Sequence, residues 1–596
     1  MTSAGSAHDL VIRGGVVADG LGGDPFEADV AVSGGTITAV GTVAGRGHEE
    51  IDAAGLLVTP GFVDIHTHYD GQATWDSRVT PSSWHGVTTA VMGNCGVGFA
   101  PVRPDAHDRL ISLMEGVEDI PGAVLDEGID WTWESFGEYL DAVERRPHDI
   151  DLCAQLPHGA LRLYVMGERA ARLEDATPDD AAAMRQLATE AMRAGAIGFS
   201  TSRTLNHRTA TGDPTPSLRA RADELEAIAG GVADAGHGVI ELISDFWPDT
   251  DGEFELVRGM VARTGVPLSL SLAQSHRQPD AWRDLLARIE AATAAGLPIR
   301  GQVAPRAVGV LVGLQSSYHP FLRFPAFREI AGRPVAEQAA ALRDPAFRSR
   351  LLAEIPEDDD TGGRRTGRRR IIDYARLFPL GDVPDYEPAP EDSIEHLAAA
   401  RGVDPAELTL DLLAEDDGHR FLYTPFSNYA EGNLDACGEM LGHPDTVFGL
   451  GDGGAHVGLI ADASFPTWFL SHWARDRGHG RMPVGDVVRQ LTSSTAQAVG
   501  LSDRGVLAEG MRADCNVIDF DHVACLAPEM GYDLPAGGKR LLQRARGYRA
   551  TVVAGEVTYR DGEPTGALPG SLVRAGQANG NGNGTAGNGT RGAGRS

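Results

Sequence analysis

The sequence predicts an α/β protein in which a (β/α)8 TIM-type barrel is joined to a small β-sandwich domain. Eight apolar, strand-like runs alternate with helical segments through the middle of the chain. Short runs of alternating apolar and polar residues occur near both chain ends, and a long segment with a different pattern separates the last two strand-like runs. Repeated strand–helix units favour a parallel sheet, and eight such units are enough to close a barrel.

The predicted β-sandwich domain takes residues from both ends of the chain, at 1–58 and 505–574. Its period-two pattern, interrupted by glycine turns, is typical of short antiparallel strands. The barrel takes 59–504, which includes a helical lobe inserted at 310–440, between strands 7 and 8. The remaining residues, 575–596, are rich in Gly and Asn and show no apolar periodicity, so we expect a disordered tail.

Each barrel strand is predicted from an apolar run bounded by turn residues. Helical periods fill several of the intervals, as at 178–195 and 280–296. In the inserted lobe, the charged segment 356–370 mixes acidic and basic runs, which favours a solvated loop over an anion-binding or partner-binding patch. The predicted barrel strands lie at 62–68, 86–94, 151–159, 195–203, 238–246, 267–275, 298–306 and 446–454.

Composition limits the partners that this chain can have. The 596 residues carry 52 Lys and Arg against 84 Asp and Glu, a net charge of −32, which argues against nucleic acid or an anionic membrane as the main partner. The five cysteines are scattered and do not form a disulfide framework. No signal peptide or membrane-length apolar run is visible, so we expect a cytoplasmic protein; a homo-oligomer is left open.

The strongest chemical signal is the pair of histidines in PGFVDIHTH, at the end of the first predicted strand. Side chains at i and i+2 of a strand share one face, so His66 and His68 point the same way. Two imidazoles at the carboxyl end of a barrel strand make a natural pair of metal ligands. The alternative is two structural histidines spaced by chance, which the preceding apolar strand and the Pro60-Gly61 turn disfavour.

Two further candidate ligands end other predicted strands. Cys95 follows the second strand in a glycine-rich segment that permits close backbone approach, and its thiolate would bind a divalent metal. Asp452 follows the eighth strand, where a carboxylate can both contact a metal and take a proton from water. The ordinary alternatives are an inert buried thiol and a turn aspartate.

One motif in the eighth strand is misleading. Gly449, Gly451 and Gly454 match the spacing of the dinucleotide-binding fingerprint. That fingerprint requires a βαβ unit with an acidic residue about 20 residues further on, whereas this chain continues through Pro466 into an aromatic helix. Dinucleotide binding is therefore not expected.

Several longer segments resemble the amidohydrolase superfamily and, within it, the D-aminoacylase (N-acyl-D-amino-acid deacylase) branch. The resemblance runs from Asp9 to about Arg574, nearly the whole chain except the tail. The GNCG element around Cys95 is the feature most specific to this branch. The segments that carry the resemblance are TPGFVDIHTHYDGQATWD, GVTTAVMGNCGVGFAPVRP, PHGALRLYVMG, GAIGFSTSRT, RGVLAEGMRADCNVIDFD and GEPTGALPG.

The resemblance implies a barrel with a flanking β-sandwich, an insertion after strand 7, and zinc-dependent amide hydrolysis. It implies that His66, His68 and Cys95 bind the metal and that Asp452 is the catalytic base. Family members take two more zinc ligands from histidines at the ends of strands 5 and 6, and neither strand end has one here. One Zn²⁺ held by His66, His68, Cys95 and Asp452 is therefore favoured over two, with another divalent metal as the alternative.

Other residues are candidates for contacts with a small amide substrate that carries a carboxylate. His207 and His456 lie in segments unlike the typical family pattern and are either extra ligands, substrate contacts or structural histidines. Arg203 and Arg306 end predicted strands and are candidates for a bidentate carboxylate clamp, with surface ion pairs as the alternative. Tyr69, directly after the HTH motif, is placed to orient a bound carbonyl.

Three functions are compatible with these residues. The first is a metal-dependent deacylase of N-acyl-D-amino acids, and the second is a hydrolase of another linear or cyclic amide. The third is a non-catalytic barrel used for binding or assembly. The joint presence of His66, His68, Cys95 and Asp452 argues against the third.

Overall fold

The strands of the two predicted domains form separate sheets in the computed structural model, which describes residues 8–354 and 373–576. The charged segment 356–370 and nearly all of the predicted tail lie outside the described residues. The strands, β1 to β24 in chain order, are His8–Val17, Phe26–Ser33, Thr36–Gly41, Gly47–Asp52, Leu57–Pro60, Phe62–Asp64, Val87–Met92, Asp151–Pro157, Gly198–Arg203, Val239–Ser244, Leu268–Ser271, Ile299–Val303, Val308–Val312, Phe378–Pro379, Leu422–Ser427, Thr446–Phe448, Cys515–Ile518, Ala524–Cys525, Glu529–Leu534, Gly538–Leu542, Ala545–Arg546, Tyr548–Val553, Glu556–Arg560 and Glu563–Pro564.

Helices connect most of these strands, and two π-helical stretches, Phe469–Asp476 and Gln490–Ser494, follow α17 and α18. The helices, α1 to α19 in chain order, are Gln72–Trp75, His107–Glu118, Gly122–Gly128, Phe136–Glu144, His158–Met166, Glu168–Ala171, Pro178–Ala194, Ala222–Ala235, Thr250–Thr264, Ala281–Ala294, Pro325–Arg328, Val335–Arg343, Pro345–Ala353, Ile394–Arg401, Pro405–Ala414, Asp435–Leu441, Phe465–Trp468, Val484–Arg489 and Thr495–Ala498. No helix of the described part of the chain is long and apolar enough to cross a membrane.

The eight strands predicted for the barrel are confirmed as one parallel sheet with the order β16-β12-β11-β10-β9-β8-β7-β6. The sheet curls until its two edges meet, because Thr67, just after β6, forms a parallel bridge with Gly453, just after β16. The amide of His68 also donates to the carbonyl of Gly453, at 2.7 Å. Closure of the sheet therefore brings the segments after the first and eighth strands side by side.

Local sequence signals account for the predicted helices. The helix expected at 178–195 is α7, Pro178–Ala194. Thr177 caps its first turn and forms a reciprocal capping box with Asp180, while Gly195 ends the helix with a φ of 118°. The helix expected at 280–296 is α10, Ala281–Ala294.

The terminal strands form a mixed nine-stranded sheet built from both ends of the chain. Most pairs in this sheet are antiparallel, as predicted, but β1 departs from that prediction because it pairs in parallel with both β4 and β5. A bulge between Ile12 and Gly15 splits β1 into two halves, and each half takes a different parallel neighbour. A Cβ atom at Gly15 would lie 2.4 Å from the Val58 side chain, so only glycine fits where β1 changes from one parallel neighbour to the other.

The segment between β12 and β16, for which an inserted helical lobe is predicted, contains α11 to α16. It also holds a small antiparallel sheet, β13-β15-β14, which is not among the predicted elements. The lobe has its own apolar cluster, which includes Phe321, Phe327, Leu342, Leu410 and Leu413. It therefore has a core distinct from that of the barrel.

Candidate metal centre

The two histidines of the HTH motif lie just beyond the carboxyl end of β6. His66 is 1% exposed and His68 is 2% exposed. Thr67, between them, donates its hydroxyl to the carbonyl of Val91 on the neighbouring strand β7. The alternation along the extended chain thus places both imidazoles on one side, with ring centroids 5.5 Å apart.

Cys95 reaches the histidines from the loop after β7. Its backbone has a φ of 55°, a left-handed conformation uncommon for residues other than glycine. Gly93 precedes it at a φ of 82°, and a Cβ atom there would lie 2.3 Å from the carbonyl oxygen of Gln155. The resulting turn puts the Cys95 Sγ atom 3.3 Å from His66 Nε2. Candidate ligand atoms of His66, His68 and Cys95 all lie within 4.8 Å of one another.

Asp452 completes the cluster from the loop after β16. One carboxylate oxygen lies 3.3 Å from His66 Nε2 and 3.6 Å from His68 Nε2. Asp452 also has a positive φ, 45°, and Gly451 before it packs against the Asp64 carboxyl at a distance that excludes a side chain. Left-handed conformations at both Cys95 and Asp452 are typical of backbone that is held in place for function.

Three side chains outside the predicted set contact the residues of the cluster. Gln302, in β12, lies 3.1 Å from His66 Nδ1 through its amide oxygen. Glu241, in β10, accepts the backbone N–H of Cys95 at 3.0 Å, and its other oxygen lies 3.9 Å from His66 Nδ1. Glu118, the last residue of α2, has an oxygen 3.4 Å from His68 Nδ1.

The electrostatics of the cluster follow from its burial and its mixed charges. Burial opposes ionisation of Asp452, but the contact with His68 and the charge of His66 prevail and lower its pKa to about 2. Burial would also lower the pKa of His68, yet the charges of Glu118 and Asp452 raise it to about 9. Burial raises the pKa of Glu241 to about 8 and that of Cys95 well above its usual value. The cluster thus holds an ionised Asp452 facing the rings of His66 and His68.

The donor chemistry fits a divalent ion. Imidazole nitrogen, thiolate sulfur and carboxylate oxygen are the ligands that Zn²⁺ takes in proteins. Within the described residues, both ring nitrogens of His68 are buried and face carboxylate oxygens, Glu118 at 3.4 Å and Asp452 at 3.6 Å, without a hydrogen bond of good geometry. A bound ion would give the Nε2 atom of His68 a direct partner.

The strands that lack the expected histidines direct their polar side chains elsewhere. Ser244, the last residue of β10, donates to Glu253, and the next residue, Asp245, accepts from Thr204 and from the backbone of Leu205. Gln274, after β11, donates to Glu431. Glu241 is therefore the residue by which β10 contributes to the cluster.

Two of the predicted substrate-binding residues lie close to the cluster. The ring of Tyr69 is fully buried beneath Gly454, and its hydroxyl lies 2.7 Å from the Ser82 hydroxyl. His207 lies with Nδ1 2.9 Å from the Ser202 hydroxyl. Burial lowers the pKa of His207 to about 3, and the charges of His456 and His68 act in the same direction.

Both predicted arginines of the carboxylate clamp have carboxylate partners within the chain. Arg203 pairs with Glu253 through two hydrogen bonds, at 2.6 and 3.0 Å. Arg306 is 1% exposed and pairs with Asp462 at 2.7 Å. The guanidinium of Arg306 stacks on Tyr386, 3.5 Å from the ring centroid, and its Nε and Nη1 atoms make no hydrogen bond within the described residues. As substrate contacts, Arg203 and Arg306 stay predictions.

The missed residues differ in how visible they were. Glu241 is a charged residue within the apolar run VIELIS, a pattern that indicates a buried functional carboxyl. Gln302 is a similar interruption in the strand IRGQV. Glu118 ends an amphipathic helix among other acidic residues, and nothing in its local sequence distinguishes it.

Comparisons with known proteins agree with this geometry. D-aminoacylase of Alcaligenes xylosoxydans xylosoxydans is 28% identical over 95% of this chain and 97% of its own. An uncharacterised protein of Mycobacterium tuberculosis is also 28% identical, over 93% and 92% of the two chains.

Solved structures show the same fold. A D-aminoacylase structure matches with a TM-score of 0.62 and 24% identity, covering 95% of this chain and all of the other. N-acyl-D-glutamate deacylase of Bordetella bronchiseptica, solved with zinc and a phosphonate inhibitor that mimics the tetrahedral intermediate, matches with a TM-score of 0.62 and 22% identity over 95% and 100% of the two chains. The family model described as "Amidohydrolase family" matches residues 49–559. The chain belongs to the amidohydrolase family and is similar to D-aminoacylase over nearly its full length.

Proposed function

We propose that the chain is a metal-dependent hydrolase of N-acyl amino acids, with N-acyl-D-amino acids as its substrates. The observation that carries this proposal is the convergence of His66, His68, Cys95 and Asp452 at the carboxyl ends of the barrel strands. Active sites of (β/α)8 enzymes lie at this end of the barrel. The similarity to D-aminoacylase over nearly the full chain supports the choice of substrate class.

The cluster would hold one zinc ion through His66 Nε2, His68 Nε2, Cys95 Sγ and Asp452 Oδ1. A divalent ion in such a set polarises a carbonyl and lowers the pKa of water. The D-aminoacylase of a solved structure is described with a binuclear metal centre, one-metal activation and second-metal attenuation. Since β10 here offers Glu241 and β11 offers no ligand to the cluster, we favour one ion over two.

Asp452 is placed to move the proton that amide hydrolysis requires. Its low pKa, about 2, keeps it ionised at neutral pH, so that it can accept a proton from the attacking water. As the water oxygen bonds to the carbonyl carbon and the C–N bond breaks, the same carboxyl returns the proton to the leaving nitrogen. Asp452 therefore acts as the base in the first step and as the acid in the second.

The substrate carboxylate needs a cationic partner, and Arg306 is the better placed of the two arginines. Two of its guanidinium nitrogens, Nε and Nη1, make no hydrogen bond within the described residues. The Nε and Nη2 atoms of Arg203, in contrast, both donate to the Glu253 carboxylate. The Asp462 partner of Arg306 is near enough to Asp452 and His456 for their charges to shift its pKa, which supports a position of the pair close to the cluster. His207 and His456 would line the same space.

A second candidate is hydrolysis of a different linear amide or a cyclic amide. The observation that favours it concerns barrel strands 5 and 6, which are β10 and β11. The histidines expected there are absent: β10 contributes Glu241 to the cluster, and Gln274, after β11, bonds to Glu431. The side chains around the candidate metal centre therefore differ from those of the typical family member.

One experiment separates these functions from a non-catalytic barrel. Metal content is measured in the purified protein, and a panel of N-acetyl and N-formyl D- and L-amino acids is assayed beside cyclic amides. We expect bound zinc and turnover of the D-series, both lost in His66→Asn. His158→Asn is the matched control, since His158 is equally buried but bonds to Glu224 and Thr201. Turnover of cyclic amides alone would favour the second candidate, and a metal-free, inactive protein would contradict both.

A further inference from the structure

The position of Glu118 is electrostatically unfavourable for a carboxylate. It ends α2, where the helix dipole repels negative charge, and it is only 1% exposed. Burying a carboxylate without a partner is costly, so such a residue requires compensation from a cation or from hydrogen-bond donors. The neighbouring residue Asp119 has a left-handed φ of 53°, which turns the chain away and ends the helix at Glu118.

The two oxygens of Glu118 face two different histidines. Oε1 lies 3.4 Å from Nδ1 of His68, and Oε2 lies 3.6 Å from Nε2 of His456. The other ring nitrogen of His68, Nε2, faces Asp452. Glu118 thus approaches the candidate ligand His68 from the side opposite the cluster.

The backbone reinforces this bridge. The amide of His456 donates a short hydrogen bond to the carbonyl of Glu118. His456 itself has a left-handed φ of 48°, four residues after Asp452. Side chain and main chain therefore both join the end of α2 to the loop that carries Asp452.

We propose that Glu118 is a positioning residue for the ligand His68, and that His456 holds the second oxygen of the Glu118 carboxylate in place. This inference rests on the proposed metal-dependent function. With Oε1 3.4 Å from Nδ1 of His68, the Glu118 carboxylate favours the tautomer that carries its proton on Nδ1, so that the lone pair of Nε2 points at the cluster. It also raises the basicity of that nitrogen, which strengthens its bond to a metal.

Because the loop after β16 carries both Asp452 and His456, the bridge also fixes the distance between His68 and the catalytic carboxylate. The side chain of His456 is 29% exposed whereas that of Glu118 is 2% exposed, so His456 lies on the solvent side of the Glu118 carboxylate. Its role is to hold Glu118, without contact to the metal.

The test uses Glu118→Gln and Glu118→Ala in the full chain. Zinc affinity is measured by competition with a chelator, and the cobalt-substituted proteins are compared by absorption spectroscopy, which reports the geometry around the ion. We expect zinc affinity to fall about 10-fold in the glutamine variant and up to about 100-fold in the alanine variant, with altered cobalt bands. Glu224→Gln is the matched control, since Glu224 is an equally buried carboxylate that pairs with His158 and Arg162.

His456→Asn tests the second half of the bridge, since asparagine tolerates the left-handed backbone. We expect a smaller loss of zinc affinity than in Glu118→Gln and no further loss in the double variant, because both changes act through the same carboxylate. Additive losses would contradict the role given to His456.

The outcomes separate this inference from the proposed function. Normal zinc binding and an unchanged cobalt spectrum in both Glu118 variants would overturn the positioning role and leave the function intact. An equal loss of affinity in Glu224→Gln would overturn it as well, because the effect would then be general to buried carboxylates. A wild-type protein that binds neither zinc nor cobalt would overturn both.

Discussion

The Nε2 atom of His66 lies 3.3 Å from the Sγ atom of Cys95, a residue 29 positions further along the chain and at the end of the next barrel strand. Both side chains are buried, since His66 is 1% exposed and Cys95 is 6% exposed. A thiol this close to an imidazole, with the Asp452 carboxylate also 3.3 Å from the same nitrogen, is a candidate set of metal ligands.

Replacement of the thiol tests this arrangement directly. We expect Cys95→Ser to lower zinc content to a small fraction of the wild-type value and kcat/KM by about 100-fold or more, because a hydroxyl is a poor substitute for a thiolate ligand. Metal analysis and a deacylase assay provide the measurement. Cys153→Ser is the matched control: Cys153 is fully buried in β8 and lies outside the cluster. Retention of zinc by Cys95→Ser would show that the thiol is structural.

Asp452→Asn separates proton transfer from metal binding. The amide keeps the shape of the carboxyl but cannot accept a proton, so we expect kcat to fall by about 10²- to 10⁴-fold. Three ligands remain, and zinc should stay bound at high metal concentration. The measurement is kcat beside metal content in the same preparation. If kcat stays within about threefold of wild type, another group is the base.

The barrel could be predicted from the sequence because each strand is a short apolar run, and closure of the sheet then brings the strand ends together. This geometry predicts that His66, His68, Cys95 and Asp452 lie near one another, while the roles expected of them came from the family resemblance as well. The parallel pairing of β1 with β4 and β5 could not be predicted, since period-two patterns do not record the direction of a neighbouring strand.

The supporting carboxylates escaped prediction for a different reason. Glu118 reaches His68 from a helix that begins 12 residues after Cys95, and its contact depends on where the left-handed turn at Asp119 ends that helix. Arg306 was correctly placed at a strand end, but its pairing with Asp462 depends on the packing of the segment after β16. Such contacts are set by tertiary structure and leave no periodic pattern.

The buried pair of Arg306 and Asp462 makes a prediction about stability. Removing one partner leaves the other charge buried and unpaired, so Arg306→Met should lower the free energy of unfolding by about 3–5 kcal/mol. Adding Asp462→Asn should recover part of the loss, because the unpaired charge is then gone. Denaturant unfolding of the two variants provides the measurement. An equal or larger loss in the double variant would show that packing against Tyr386, not charge pairing, is the main contribution.

Glu387 makes a prediction about pH. This residue of the inserted segment accepts hydrogen bonds from Arg477 at 2.7 and 2.9 Å and lies 2.7 Å from His472 Nε2. Burial opposes its ionisation, but these partners prevail and lower its pKa to about 2.

Because the folded pKa of Glu387 lies below the unfolded value of about 4.3, the folded state favours the ionised form. Its stabilisation is therefore fully present above about pH 4.5 and is lost as the pH falls toward 2. We expect Glu387→Gln to cost about 2–3 kcal/mol at pH 7 and roughly half of that at pH 3, measured by urea unfolding at both values. Glu391→Gln, at an exposed position nearby, should change stability little at either pH. A cost for Glu387→Gln that does not depend on pH would mean that the contact is held by shape and not by the charge of the carboxylate.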